Sequence, residues 1–237
     1  MKKSIGVFIT ATDTEVGKTL VAGAFILKLK EAGVNAIGFK PVVAGTFQDS
    51  NGVIRNEDLD TLRMASELSE GQENICPYVL DRPAAPHLVA ESIGMELKSD
   101  LILTAFKKLT EKYDCVVVEG AGGLLVPLNQ TETLGDIAQA MNLPVILVVG
   151  MKLGCINHAL LTYEAMQTRR ISVAGWIANT LSEDMSFLQE NISTLQARID
   201  APLLGVIPNL PKNLEKQANS AYSIDALRFA AQHIRLA

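Results

Sequence analysis

A short apolar run, Ile5-Gly6-Val7-Phe8-Ile9-Thr10, leads into the polar octapeptide Thr12-Asp13-Thr14-Glu15-Val16-Gly17-Lys18-Thr19, and from Gly17 to Ala32 apolar side chains return at helical spacing. This order of buried strand, tight loop and helix constrains the fold more than any other part of the chain. Gly17-Lys18-Thr19 completes the pattern G-x-x-x-x-G-K-S/T, with Thr12 standing where the first glycine is expected. Such a loop suits phosphate for physical reasons. Backbone N–H groups at a helix N-terminus face the anion, Lys18 adds a mobile positive charge, and the Thr19 hydroxyl can ligate magnesium. The competing reading is a plain strand-to-helix turn that happens to contain Gly-Lys-Thr. The flanking periodicity favours the phosphate loop and makes a nucleotide enzyme the leading expectation.

The 237 residues suffice for a single domain, 1–237, with a substantial core. Apolar runs at Ile5–Thr10, Ala36–Phe39, Cys115–Glu119, Val145–Val149, Val173–Ala178 and Leu203–Ile207 read as strands. They alternate with helical patterns near 17–32, 57–69, 99–112, 133–141, 156–168, 185–198 and 223–235. The pattern predicts an α/β fold with one doubly wound, mostly parallel sheet flanked by helices on both faces. The segment from Asp81 to Pro86 reads as the most loop-like and as bordering an active site. A net charge of −5 with dispersed Lys and Arg argues against a nucleic-acid partner. Cys76, Cys115 and Cys155, odd in number and far apart, fit a reducing compartment. Met1-Lys2-Lys3 precedes too short an apolar run for a signal peptide, and no run reaches membrane-spanning length, so a soluble cytoplasmic protein is expected.

In open parallel sheets ligands sit beyond the carboxyl ends of the strands, and here those ends are polar and glycine-rich. They read Lys40-Pro41-Val42-Val43-Ala44-Gly45-Thr46, Glu119-Gly120-Ala121-Gly122-Gly123, and Gly150 through Lys152-Leu153-Gly154-Cys155-Ile156-Asn157. Glu119 ends an apolar strand, where its carboxylate needs a cation: magnesium, Lys18 or Lys40, which are not exclusive. Residue physics alone favours helix capping for Asp58. Lys40 reads equally as a cation facing the crevice or as half of a structural ion pair.

Together these motifs resemble the dethiobiotin synthetase family over nearly the whole chain. The landmarks also include Arg55-Asn56-Glu57-Asp58, Pro86-His87, Lys152 to His158, Gly175-Trp176-Ile177-Ala178-Asn179 and Pro202-Leu203-Leu204-Gly205. The resemblance implies ATP-dependent closure of 7,8-diaminononanoate with CO2 to dethiobiotin, the penultimate step of biotin synthesis, through a carbamate and a carbamic-phosphoric anhydride. It implies that Lys18 meets the transferring phosphate, that Lys40 stabilises the carbamate and its phosphorylated form, and that Thr14 helps hold the diamine or carbamate end. Thr19, Asp58 and Glu119 are implied magnesium ligands, in place of capping for Asp58. Glu15, Val16, Gly17 and Leu20, with Gly120, Ala121 and Gly122, are implied to follow the phosphates. Asn179 and Thr180 would read adenine, Pro208, Asn209 and Leu210 would flank it, and Glu215 would accept from ribose. Gly154, Cys155 and Asn157 are implied to bind substrate across a homodimer interface. Cys155 itself reads as a packing residue, His87 and His158 as structural, and His233 as surface.

Two positions depart from the family pattern. Ala11 replaces a glycine before the loop, which predicts a modest loop shift, and Ala44 replaces a serine, whose hydroxyl Thr46, two residues on, can replace only if the loop turns suitably. Alternatives are a related carboxylate- or amine-activating synthetase, such as the synthetase half of cobyrinate amidases, and a switch ATPase of the partition or septum-positioning type. The first needs a glutaminase region for which this chain has no room. The second carries a lysine early in the loop, where Thr12, Thr14 and Glu15 stand here.

Overall fold

The computed structural model describes residues 5–236; Met1, Lys2 and Lys3, on which the expectation of no signal peptide rests, lie outside them. In chain order the elements are β1 (Ile5–Ala11), α1 (Lys18–Glu31), β2 (Ala36–Phe39), β3 (Val42–Ala44), β4 (Phe47–Gln48), β5 (Ile54–Arg55), α2 (Glu57–Ser66), β6 (Tyr78–Leu80) and α3 (Pro86–Ser92). They continue with α4 (Ser99–Thr110), β7 (Cys115–Glu119), α5 (Leu134–Met141), β8 (Val145–Met151), α6 (Cys155–Thr168), β9 (Val173–Thr180), α7 (Leu188–Arg198), β10 (Leu203–Ile207) and α8 (Ile224–Gln232).

Six strands pair in parallel in the order β10-β9-β8-β1-β7-β2. The apolar runs have the expected consequence, since every residue of β7 and β8 is buried. A strand whose side chains alternate between faces can be wholly buried only if helices cover both. Helix α1 packs on β1, β2 and β7 and against α2 and α8, while α4 packs on β7 and α6 on β8. The chain steps from β1 outward to β2, returns to β7, and crosses to β8, so β1 lies at the reversal of strand order where α/β sheets bind ligands.

All six expected strands are present. Strand β9 runs two residues further than the sequence suggests, which places Asn179 and Thr180 on the strand itself, with Asn179 paired to Gly150. Helix α2 stops at Ser66 rather than 69, because Glu67 turns left-handed at φ 57 and Leu68 N–H returns to the Arg63 carbonyl. Two small sheets were not read from sequence, the parallel pair β3–β6 and the antiparallel pair β4–β5. Ala11, the residue expected to shift the loop, is the last residue of the strand that precedes it. It continues β1 opposite Val148, fully buried, and does not have a positive φ.

Candidate active site

The loop between β1 and α1 takes two left-handed residues, Glu15 at φ 57 and Gly17 at φ 88, the latter forming the helix N-cap. No side chain caps α1, so the N–H groups of its first turn stay available to an anion. The Lys18 ammonium folds back 3.0 Å from the Asp13 carbonyl. Burial, and then the nearby Lys40 charge, push Lys18 down to about 8. Asp13 in turn pairs with Lys152 at 2.7 Å, tying the loop to the segment after β8 and holding the Asp13 carboxyl below the usual range.

The ends of β2 and β7 and the start of α2 bring a charged cluster against this loop. Lys40 Nζ lies 2.7 Å from Asp58 Oδ2 and 2.6 Å from Glu119 Oε1. Thr19 Oγ1 lies 2.7 Å from both Asp58 Oδ1 and Glu119 Oε1, and its single proton satisfies only one at a time. Glu119 Oε2 is buried with no hydrogen-bond partner. Burial opposes the charge on Lys40, yet Asp58 and Glu119 hold its ammonium above the ordinary lysine value. Burial likewise opposes the charge on Asp58, but Lys40 and then Thr19 bring it down to about 2, whereas burial keeps Glu119 above the carboxylate range. Capping of α2 falls to Asn56, whose Oδ1 accepts from the N–H groups of Asp58 and Leu59 at 3.1 Å. That corrects the capping reading and leaves the Asp58 carboxylate free to face Lys40. The expected pairing of Glu119 with a lysine is met by Lys40.

A cleft of about 1130 Å³ opens over the cluster. It is lined by Thr14, Glu15, Gly17, Lys18, Thr19, Leu20, Lys40, Asp58, Glu119, Ala121, Gly122, Asn179, Thr180, Asn209, Leu210 and Glu215. Val16 lies beneath the loop, fully buried, with its carbonyl accepting from Asn179 Nδ2 at 2.9 Å. Gly120 is buried and Pro208 exposed, and neither lines the cleft. Gly154, Cys155 and Asn157 lie outside it as well, at the N-terminus of α6. Cys155 is buried with Sγ 3.7 Å from Asn191 Oδ1, a packing position, and Leu153 beside it is fully exposed. His158 is exposed, while His87 is half-buried with Nδ1 unpartnered. Thr46 lines the cleft near Ala44, and Pro83 to Pro86 form part of its rim, as the loop-like reading of that segment anticipates. Lys216 and Tyr222 also line the cleft, and no motif marks them in the sequence.

The AAA domain family model matches residues 5–217. ATP-dependent dethiobiotin synthetase BioD of Ralstonia nicotianae is 43% identical over 97% of this chain and 95% of its own length. The Aromatoleum aromaticum protein of the same name is 47% identical over 86% of this chain and 90% of its own. The chain belongs to the dethiobiotin synthetase family. The fold extends beyond this family. The MinC:MinD cell division complex of Aquifex aeolicus superposes with a TM-score of 0.55 over 95% of this chain and 85% of the other, at 14% identity. A ParA family ATPase from Chlorobium tepidum superposes at 0.54 over 97% and 90%, also at 14% identity. Those likenesses concern the fold alone. The sequence match to dethiobiotin synthetases separates this chain from the switch ATPases weighed above.

Proposed function

We propose that residues 1–237 act as one cytoplasmic P-loop domain that closes 7,8-diaminononanoate with CO2 and ATP to dethiobiotin, releasing ADP and phosphate. The observation that carries this reading is the convergence of Lys18, Thr19, Lys40, Asp58 and Glu119 on one cleft in a member of this family. One amine takes up CO2 as a carbamate and loses a proton. The carbamate oxygen takes the γ-phosphoryl group from ATP, and the second amine attacks the carbamoyl carbon and expels phosphate.

Each residue has a task set by its surroundings. Lys40, kept cationic by two carboxylates, offers positive charge to the carbamate and its anhydride. Lys18 and the open N–H groups of α1 meet the phosphates, and Thr14, exposed at the mouth, holds the diamine end. Magnesium fits the donor set: Thr19, Asp58 and Glu119 converge as hard oxygen ligands, and Glu119 Oε2 has unused acceptor capacity. When bound, the ion would neutralise charge on the transferring phosphoryl group. Asn179 Oδ1 and the unpartnered Thr180 Oγ1 are left for the base, since the Asn179 amide nitrogen is engaged by Val16.

A homodimer completes the proposal. The N-terminus of α6 has Gly154 at φ 92 and no side-chain cap; Cys155 N–H turns back to the Lys152 carbonyl at 2.9 Å, the N–H groups that follow it suit a carboxylate, and this end stands outside its own chain's cleft. We assign Gly154, Cys155 and Asn157 to the partner's substrate. Free, buried cysteines support the reducing compartment. Among the described residues no helix is long and apolar enough to cross a membrane.

The test is phosphate release from Mg-ATP with and without the diamine and bicarbonate, with the product weighed by mass spectrometry. Diamine-dependent release with a product of dethiobiotin mass is expected. Release that ignores the diamine overturns the proposal.

A further inference from the structure

Between β10 and α8, residues 208–223 form one wall of the cleft, carrying Asn209, Leu210 and Glu215, and contain a single 3-10 turn at Lys212–Leu214. So irregular a wall needs tethers to hold a ligand-facing shape. Its tethers converge on the N-terminal half of α2, at Glu57 and Thr61. Lys216 forms an ion pair with Glu57, and its ammonium stands 5.6 Å from the centre of the Tyr222 ring. Tyr222 N–H donates to Thr61 Oγ1 at 3.1 Å, and the Thr61 hydroxyl donates to the Glu57 carbonyl at 2.8 Å. Both ends of the 216–222 stretch are therefore pinned to the half of α2 that holds Asp58. The Lys216 charge also reaches Asp58, contributing to its acidity.

We propose that Lys216, Tyr222 and Thr61 form a clasp that fixes the 208–223 wall to the Asp58 end of α2, with Lys216 a positioning residue for the metal–nucleotide complex. The inference rests on the reading of the cleft as a Mg-ATP site. Lys216 touches no reacting atom; it sets the distance between the wall at the sugar and base and the carboxylate at the phosphates. Neither the loop motif nor the charged cluster requires a lysine at this position.

The test compares Lys216→Gln and Lys216→Arg with the parent protein, all shown to fold by thermal melting. In Lys216→Gln the KM for Mg-ATP is expected to rise about three- to tenfold, the size of effect expected from losing one partly buried ion pair with its cation–π contact. The magnesium concentration for half-maximal rate should rise with it, while kcat stays within about twofold. Lys216→Arg should restore both. An unchanged KM for Mg-ATP in Lys216→Gln, or a failure of arginine to rescue it, overturns the clasp. Equilibrium binding of Mg-ADP to each variant separates the two ideas. A parent protein that binds Mg-ADP but forms no dethiobiotin refutes the proposed reaction, and weaker Mg-ADP binding by Lys216→Gln still supports the clasp.

Discussion

Lys40 Nζ stands 2.6 Å from Glu119 Oε1 where both side chains are almost wholly buried, 4% and 0% exposed. A buried cation with two carboxylates for company is the counter-charge on which both depend. Replacing it by methionine keeps the volume and strands the anions, and stranding a buried charge costs about 3–5 kcal/mol. Lys40→Met is expected to unfold at markedly lower urea than the parent, to gain more stability from added MgCl2 than the parent does, and to lose ring closure while still binding nucleotide. A variant as stable as the parent would show that Lys40 is not the neutralising partner.

Gly17 carries φ 88, and a Cβ there would collide with the side-chain amide of Asn179. Left-handed geometry alone costs an L-residue about 1–2 kcal/mol. Gly17→Ala is therefore expected to weaken ADP binding by at least about tenfold. The collision partner is a side chain, so Asn179→Ala should cost less in the Gly17→Ala background than in the parent, a sub-additive cycle readable by calorimetry. Strict additivity would mean that the two residues do not meet.

The main sheet and the phosphate loop were legible because their signals are local. Val145 to Val149 is continuously apolar, and Gly-Lys-Thr follows a strand at the required spacing. Strands β3 and β6 were not legible, because three residues show no period and Val42 pairs with Tyr78 far along the chain. Asp58 illustrates a different limit. Local propensity fits either it or Asn56 as the cap; only the family resemblance points Asp58 away from capping, and the fold shows Asn56 Oδ1 accepting at the helix start while Asp58 pairs with Lys40. Lys216 gave no signal, because neither it nor Tyr222 belongs to a motif, and the Arg55-Asn56-Glu57-Asp58 landmark does not say which distant residue pairs with Glu57.

Leu153 is fully exposed in its own chain and lies beside the uncapped N-terminus of α6, outside the cleft. In a homodimer that shares its sites, an apolar side chain there belongs against the partner subunit. Light scattering is expected to give the parent twice the 25.5 kDa chain mass. Leu153→Asp should shift the protein to monomer and abolish ring closure without loss of ADP binding. A fully active monomeric parent would remove α6 from the substrate site.

Lys18, at about 8 in the free protein, lies below the ordinary lysine value because burial and then the Lys40 charge disfavour its cation. A polyphosphate beside it favours the charged form and raises the value again, so the bound state holds more protons than the free state once the pH passes the free value. By linkage, nucleotide affinity is highest below about pH 7, falls as pH rises through 8, and approaches a tenfold loss per unit above it. Calorimetry of ADP binding at about pH 9 in buffers of different ionisation heat should show proton uptake, with little at about pH 7. Lys18→Arg, whose side chain stays charged throughout, should bind with no such uptake. Equal uptake in the arginine variant would assign the proton to another group.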